Sequence, residues 1–399
     1  MSACRQFINV LVSDRLKSMY TLRRFDLSRN QFFHPTAEAA AAHAKALPTW
    51  PPKQTKMETT NSAAAKEKKK LSGPPPALLN MKPSLCPTTP DREYKMECHP
   101  LTETKLLFAD SSGRVFRFDA DTRCVVTMSS LHSRKDYPLS LAVPTTPATS
   151  TTMIDQDEDR GLYIIDETLK PGNKGVQFEA IVYRNRDNPL NLNMGNAWHC
   201  DPLPLPPCPY VNSLGYKAAP ICSYALVGGD TICISTRGVG IYCFNTKTRE
   251  WFKAGDWMMP FYGKAEHDPE LGLWFGASAT NFHLPCAADI SGVLRGEEPR
   301  EQTQIWTDID VPKGWHLRPY RPTKLVSLGS GRFCITSFFH TLASDSSFDQ
   351  LPDETFAVFT GVEAVLPHDG NGNAKGVTLM KHKSVTCRTH DSNMIESVV

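Results

Sequence analysis

Val115-Phe-Arg-Phe-Asp-Ala-Asp-Thr-Arg-Cys-Val-Val126 aligns without gaps on Ile241-Tyr-Cys-Phe-Asn-Thr-Lys-Thr-Arg-Glu-Trp-Phe252. In each, an apolar run ends in Phe, crosses a polar turn closed by Thr-Arg and enters a second apolar run. This is a β-hairpin used twice, and recurrence of one supersecondary unit is the mark of a repeat architecture.

Working outward, further hairpins follow the same logic of apolar runs around turn residues. Lys105 to Asp110 and Arg114 to Asp119 flank Ser111-Ser-Gly113. Leu162 to Ile165 and Phe178 to Arg184 flank a polar loop. Thr231 to Thr236 and Gly240 to Asn245 flank Arg237-Gly238-Val239. Ala265 to Asp268 and Leu273 to Gly276 flank a Pro-Glu-Leu-Gly turn. Lys324 to Leu328 and Phe333 to Phe338 flank Gly329-Ser-Gly-Arg332. Their spacing averages near the ~50 residues of a four-stranded kelch-type blade. A sandwich has no need of five similar hairpins. A propeller has, because each blade buries its two faces against its neighbours.

The expectation is therefore an all-β, kelch-like β-propeller of about six blades. Residues 1–33 form a strand pair (Phe7 to Val12, Met19 to Phe25) that closes the ring, which would otherwise leave two sheet edges open. Residues 34–97 read as a low-complexity disordered insertion with one short Ala-rich helix at Ala37 to Ala46, residues 98–366 as the propeller body, and residues 367–399 as a polar C-terminal segment with room for one last strand at Gly376 to Thr386.

Several segments resemble one family. They are Leu106-Leu-Phe-Ala-Asp-Ser-Ser-Gly-Arg114, Phe178-Glu-Ala-Ile-Val-Tyr183, Ala197-Trp-His-Cys200, Leu273-Trp-Phe-Gly276 and Val326-Ser-Leu-Gly-Ser-Gly-Arg-Phe-Cys334. Together they resemble the plant domain of unknown function 1668, expanded in grasses, over about residues 3 to 366. The resemblance implies a propeller-like fold and a plant source, and no activity, cofactor or catalytic residue.

Composition narrows the function classes. Lys+Arg number 44 and Asp+Glu 42, a net charge of +2, which argues against a nucleic-acid surface. No apolar run approaches the ~18 residues of a membrane span, and the first residues lack a secretory signal. Twelve cysteines without a signal or any Asn-x-Ser/Thr acceptor read as free thiols in a cytoplasmic or nuclear protein.

No motif carries chemistry. Leu351-Pro-Asp-Glu-Thr355 starts like an F-box, but the β-formers after it read as a strand. Lys66-Glu-Lys-Lys-Lys70 reads as a solvated charge run. Cys98-His99 and His199-Cys200 lack the ligand spacing of a zinc site. Asp308 and Asp310 read as loop acids, and there is no nucleophile elbow or phosphate loop. Catalytic, cofactor and metal residues are accordingly expected to be none. The functional expectation is a non-enzymatic scaffold or adaptor binding a protein partner through propeller loops, with Trp257 and Tyr262 as partner contacts. The alternatives are an enzyme with a site in the central channel, which acids and histidines converging there would favour, and a substrate receptor in ubiquitin-dependent turnover.

Overall fold

The computed structural model describes residues 5–29, 32–34, 38, 75–84, 95–145, 160–170, 172–185, 196–207, 219–301, 314–342, 352–366, 376–389 and 393–399, and every structural statement below concerns these residues. The chain begins with β1 (Phe7–Asp14), β2 (Met19–Asp26) and β3 (Ala77–Met81). A second sheet holds β4 (Met96–Pro100), β5 (Lys105–Asp110), β6 (Val115–Asp119) and β7 (Val125–Thr127). The third holds β8 (Pro138–Pro144), β9 (Arg160–Asp166), β10 (Phe178–Asn185) and β11 (Asn196–Pro202). The fourth holds β12 (Ile221–Val227), β13 (Thr231–Thr236), β14 (Gly240–Asn245) and β15 (Glu250–Gly255). The fifth holds β16 (Phe261–Asp268), β17 (Leu273–Ser278), β18 (Pro285–Asp289) and β19 (Arg300–Glu301). In the sixth, β20 (Trp315–Leu317) and β21 (Lys324–Gly329) both pair with the long β22 (Arg332–Leu342), followed by β23 (Pro352–Val365) and β24 (Thr378–Thr389). The last strand, β25 (Asn393–Val398), returns to the first sheet, whose order is β25-β1-β2-β3.

The apolar core shows how the sheets are arranged. Six buried clusters each bridge two sheets, and the pairs run in a circle. Leu11, Leu22 and Met81 of the first sheet meet Leu106, Phe108 and Phe118 of the second. Leu107 and Val115 meet Leu162, Ile164 and Ile181 of the third. Phe178 and Tyr163 meet Ile234 and Phe244 of the fourth. Cys233 and Ile241 meet Phe261 and Trp274 of the fifth. Phe275 meets Phe333 and Val362 of the sixth. Val326, Phe338 and Phe359 close the circle on Ile8, Val10, Ile395 and Val398. A closed ring of sheets stacked face on face is a β-propeller. It also accounts for strands such as Thr231–Thr236 and Leu273–Ser278, buried at every position: each is covered on both faces by a neighbouring sheet.

The segments 115–126 and 241–252 share one physical device. Asp119 ends β6 and its carboxylate accepts the N–H of Asp121 (2.9 Å) and Thr122 (3.1 Å). Asn245 ends β14 and its side-chain oxygen accepts the N–H of Lys247 (2.9 Å) and Thr248 (3.1 Å). Side chains of this length bond the backbone two and three residues on, which turns the chain. Arg123 and Arg249 then take φ of 58° and 59° to enter the outermost strand.

Three expectations are corrected. Residues 77–81, placed within the 34–97 insertion, form β3 and pair with β2. The segment starts the second sheet as well, at Met96. The chain beyond 366 supplies two strands rather than at most one. Most of 34–97, the Ala37–Ala46 helix apart from residue 38, Lys66–Lys70, Asp308 and Asp310 lie outside the described residues. Ring closure involves the N-terminal strands, as expected, but the strand that completes the four-stranded unit comes from the C-terminal side: β25 is the innermost strand and β1 lies against it. Pro352–Thr355 form the start of β23, a strand, and Leu351 lies outside the described residues.

Candidate functional site

The innermost strands β4, β8, β12, β16, β21 and β25 line the axis, and they begin on one face, termed here the leading face. β12 and β16 pair in parallel, Ser223 opposite Gly263 and Ala225 opposite Ala265. The start of β12 is tied to the loop after β9, Ile221 N–H donating to Glu167 O at 2.8 Å, and the start of β21 to the β17–β18 turn, Thr323 N–H donating to Phe282 O at 2.9 Å. Arg321, just before β21, donates from Nη1 to Ile395 O of β25 at 2.9 Å.

Charged side chains gather around this axis, and the acids come with cations. Lys95 pairs with Glu97 at 2.6 Å and Lys264 with Glu266 at 2.9 Å. Glu266 also accepts the Ser327 N–H of the next sheet at 2.7 Å. Burial would raise the Glu266 pKa, but Lys264, Arg5 and this hydrogen bond outweigh it and hold the carboxyl below its ordinary value. Glu167 is raised by burial, against the pull of Lys95 and Lys324. Tyr224 is pushed up by burial and then by Glu266 and Glu167, so its phenol stays protonated.

The contact closest to a catalytic pair is His99 Nδ1 to Ser140 Oγ, 3.0 Å across β4 and β8. Burial, aided by Lys95, pushes the imidazole down to about 4. Its Nε2 is buried with no hydrogen-bond partner among the described residues. An activating triad needs a carboxylate there to orient the ring and stabilise its cation, so His99 is a poor base for Ser140.

A second cluster lies off the axis, where the β7–β8 connection meets β10 and β11. Glu179, fully buried, accepts from His132 Nδ1 (2.8 Å), the His132 N–H (3.0 Å), Cys200 Sγ (3.0 Å) and Lys135 Nζ. Glu179, His132 and Cys200 offer ligand atoms within 4.8 Å of one another, a donor set zinc can take. Lys135 already supplies the counter-charge. Burial and then Glu179 push the Cys200 thiol well above its ordinary range, so it remains a hydrogen-bond donor. Burial works against the Glu179 carboxylate, but Cys200, Lys135 and His132 outweigh it and hold its pKa low. This is a saturated internal ion pair that pins the connection. Sequence spacing missed it because its members lie on three segments. Cys98 and His99 part ways as strand pleating requires: Cys98 enters the first–second sheet core, His99 meets Ser140.

Of the expected partner contacts, Trp257 lies in the β15–β16 connection, half-buried against the fourth–fifth sheet core. Tyr262, at the start of β16, is 39 % exposed and packs on Phe282 at 5.4 Å. Both lie on the leading face. So do residues that were not singled out: Leu16 (86 % exposed) in the β1–β2 turn, Tyr137 (66 %) before β8 and Tyr320 (91 %) before β21. Lys95 Nζ sits 4.0 Å over the Tyr137 ring. Of the other exposed large apolar side chains, Val125, Val126 and Phe252 lie on the outermost strands β7 and β15, Val365 where β23 ends, and Leu205 in the segment after β11.

Among solved structures, a Bacteroides thetaiotaomicron protein of unknown function is 11% identical with a TM-score of 0.36, over 74% of this chain and 70% of that one. The N-terminal domain of Nup159 is 7% identical at 0.30, over 71% and 59%. The Cps50 (Swd1) β-propeller domain of Myceliophteria thermophila is 14% identical at 0.25, over 45% of this chain, which spans about half (48%) of that one. At these TM-scores the likenesses add nothing to the ring read from the sheets themselves. No curated protein matches. Residues 5–388 match the family described as protein of unknown function DUF1668, and the chain belongs to that family.

Proposed function

We propose that this propeller is a non-enzymatic scaffold that binds a protein partner on its leading face. The observation that carries the reading is the gathering of Leu16, Tyr137, Tyr262 and Tyr320 there. Tyr anchors interfaces because it offers large area at small entropic cost and a hydroxyl for the wet rim. Tyr262 stands on β16 and the others on connections between rigid strands, which suits recognition on a fixed frame. The channel supports the same reading: its acids are neutralised by lysines, and its one Ser–His contact lacks a third member.

The test is affinity purification of the tagged chain beside its Tyr137→Ala/Tyr262→Ala/Tyr320→Ala variant, with mass spectrometry of what stays bound. A protein retained by the parent and lost from the folded variant supports the reading. Equal retention by both, or a turnover abolished by His99→Gln, overturns it.

A further inference from the structure

On the leading face, where the sixth sheet meets β25, a shallow cleft opens between Arg318, Arg321, Phe338, Phe356, Thr389 and Met394. Its cations exceed its anions. Arg321 spends one nitrogen on Ile395 O and reaches Glu396 only at 3.8 Å. Arg318 makes no side-chain hydrogen bond or ion pair among the described residues. Arg15, exposed on the β1–β2 turn, lies over the Met394 sulfur at 3.8 Å. Lys324, exposed at the start of β21, adds a positive charge beside Arg321 and is itself drawn toward Glu167 and Glu97 of the channel. The carboxylate beside Arg321, Glu396, is partly used by Ser13 Oγ, which donates to it at 2.6 Å.

Gathering like charges at a half-buried site costs energy that a bound anion returns. The guanidinium pKa values respond in that sense: burial and then Arg321 and Arg15 lower that of Arg318, and burial together with Arg15 lowers that of Arg321 against the pull of Glu396. The cleft walls are largely apolar, and Tyr320 and Leu16, the two most exposed large apolar side chains described, directly adjoin Arg321 and Arg15 in the chain. Tyr320 is held outward by a left-handed backbone, φ 60°, which is uncommon for a bulky residue.

We propose that the segment docking here is an acidic peptide of the protein partner, its carboxylates paired to Arg15, Arg318, Arg321 and Lys324 and one apolar side chain laid on Tyr320 and Leu16. This deepens the scaffold reading and rests on it. Arg presents a planar fork suited to carboxylates, and no described residue occupies that of Arg318.

The probe is a fluorescein-labelled Glu-Glu-Asp-Phe-Glu-Glu peptide beside its Gln/Asn counterpart, titrated by anisotropy with the full chain. Two to three partly exposed ion pairs predict binding about tenfold tighter for the acidic peptide, weakening as salt rises. Arg318→Gln/Lys324→Gln, which removes two cations that make no side-chain hydrogen bond or ion pair among the described residues, lowers affinity about fivefold with the melting temperature unchanged. Glu396→Gln, which removes the competing carboxylate, raises it about twofold. Equal binding of the two peptides, or indifference to both variants, overturns the proposal. So does displacement by inorganic phosphate with no preference between the peptides, which would mark an adventitious anion site. A partner lost from the tyrosine variant yet retained by Arg318→Gln/Lys324→Gln leaves the scaffold standing and sinks the acidic segment alone.

Discussion

Asp119 and Asn245 occupy one structural position in two blades: each ends the third strand of its sheet, and each accepts backbone N–H groups two and three residues ahead, at 2.9 and 3.1 Å. Truncating either leaves two turn N–H groups to water alone. Asp119→Ala and Asn245→Ala should each cost about 1 kcal/mol in urea denaturation, while Asp119→Asn, which keeps the acceptor, costs only a few tenths. Arg123 carries the left-handed φ of this turn, and a non-glycine residue pays for it. Arg123→Gly should therefore be neutral or stabilising by up to ~1 kcal/mol, against the usual loss on adding glycine.

Lys135 and Glu179 are both withdrawn from water, at 2 % and 0 % side-chain exposure. Removing one partner strands the other's charge. Glu179→Gln or Lys135→Met alone should destabilise by about 3–5 kcal/mol, and the double change by clearly less than the sum of the two. Additive losses in denaturant titrations would mean that the two do not act as a pair.

His99 makes stability depend on pH. Its imidazole titrates at about 4 in the fold and near 6.5 in the unfolded chain. Above pH 6.5 neither state binds the proton, and the group has no effect. Between 6.5 and 4 the unfolded chain binds it and the fold does not, so stability falls with pH through that window. From pH 7 to pH 5 the parent should lose about 2 kcal/mol more than His99→Gln. Parallel pH profiles for the two would show that His99 protonates freely in the fold.

The nine described cysteines are thiols rather than disulfides, and their reactivity should divide by burial. Cys334 is pushed up to about 12, and Cys98 and Cys233 are raised as well, by burial above all. Thiolate is the reactive form. Cys124, exposed on the turn before β7, and half-buried Cys222 should each give a fast equivalent with a disulfide reagent, lost in Cys124→Ser and Cys222→Ser. Cys98, Cys233 and Cys334 should react only as fast as the chain unfolds.

What was legible in the sequence was what is encoded over a few residues. Alternating apolar runs mark strands whose sides face core and solvent. Asp119-to-Arg123 and Asn245-to-Arg249 encode their own turns through side-chain bonds reaching two or three residues. From such units the all-β propeller followed, as did the strand after Leu351. Tyr262 could be picked out as an aromatic on a connection, but nothing in its neighbours separates it from half-buried Trp257, because exposure is decided by the packing of adjacent sheets.

Only the tertiary structure decided the rest. Ser13 meets Glu396 across 383 residues, and β25 takes the innermost place against β1, because a closed ring must pair its first and last strands. Ala77–Met81 gains its order from β2, a partner that lies beyond a long insertion. The Glu179 pocket draws on residues 132, 135, 179 and 200, and the cation cleft on residues 15, 318, 321 and 324. No local period or spacing links such positions. They come together because burial of apolar faces stacks six sheets around one axis, and that stacking sets which loops share a face.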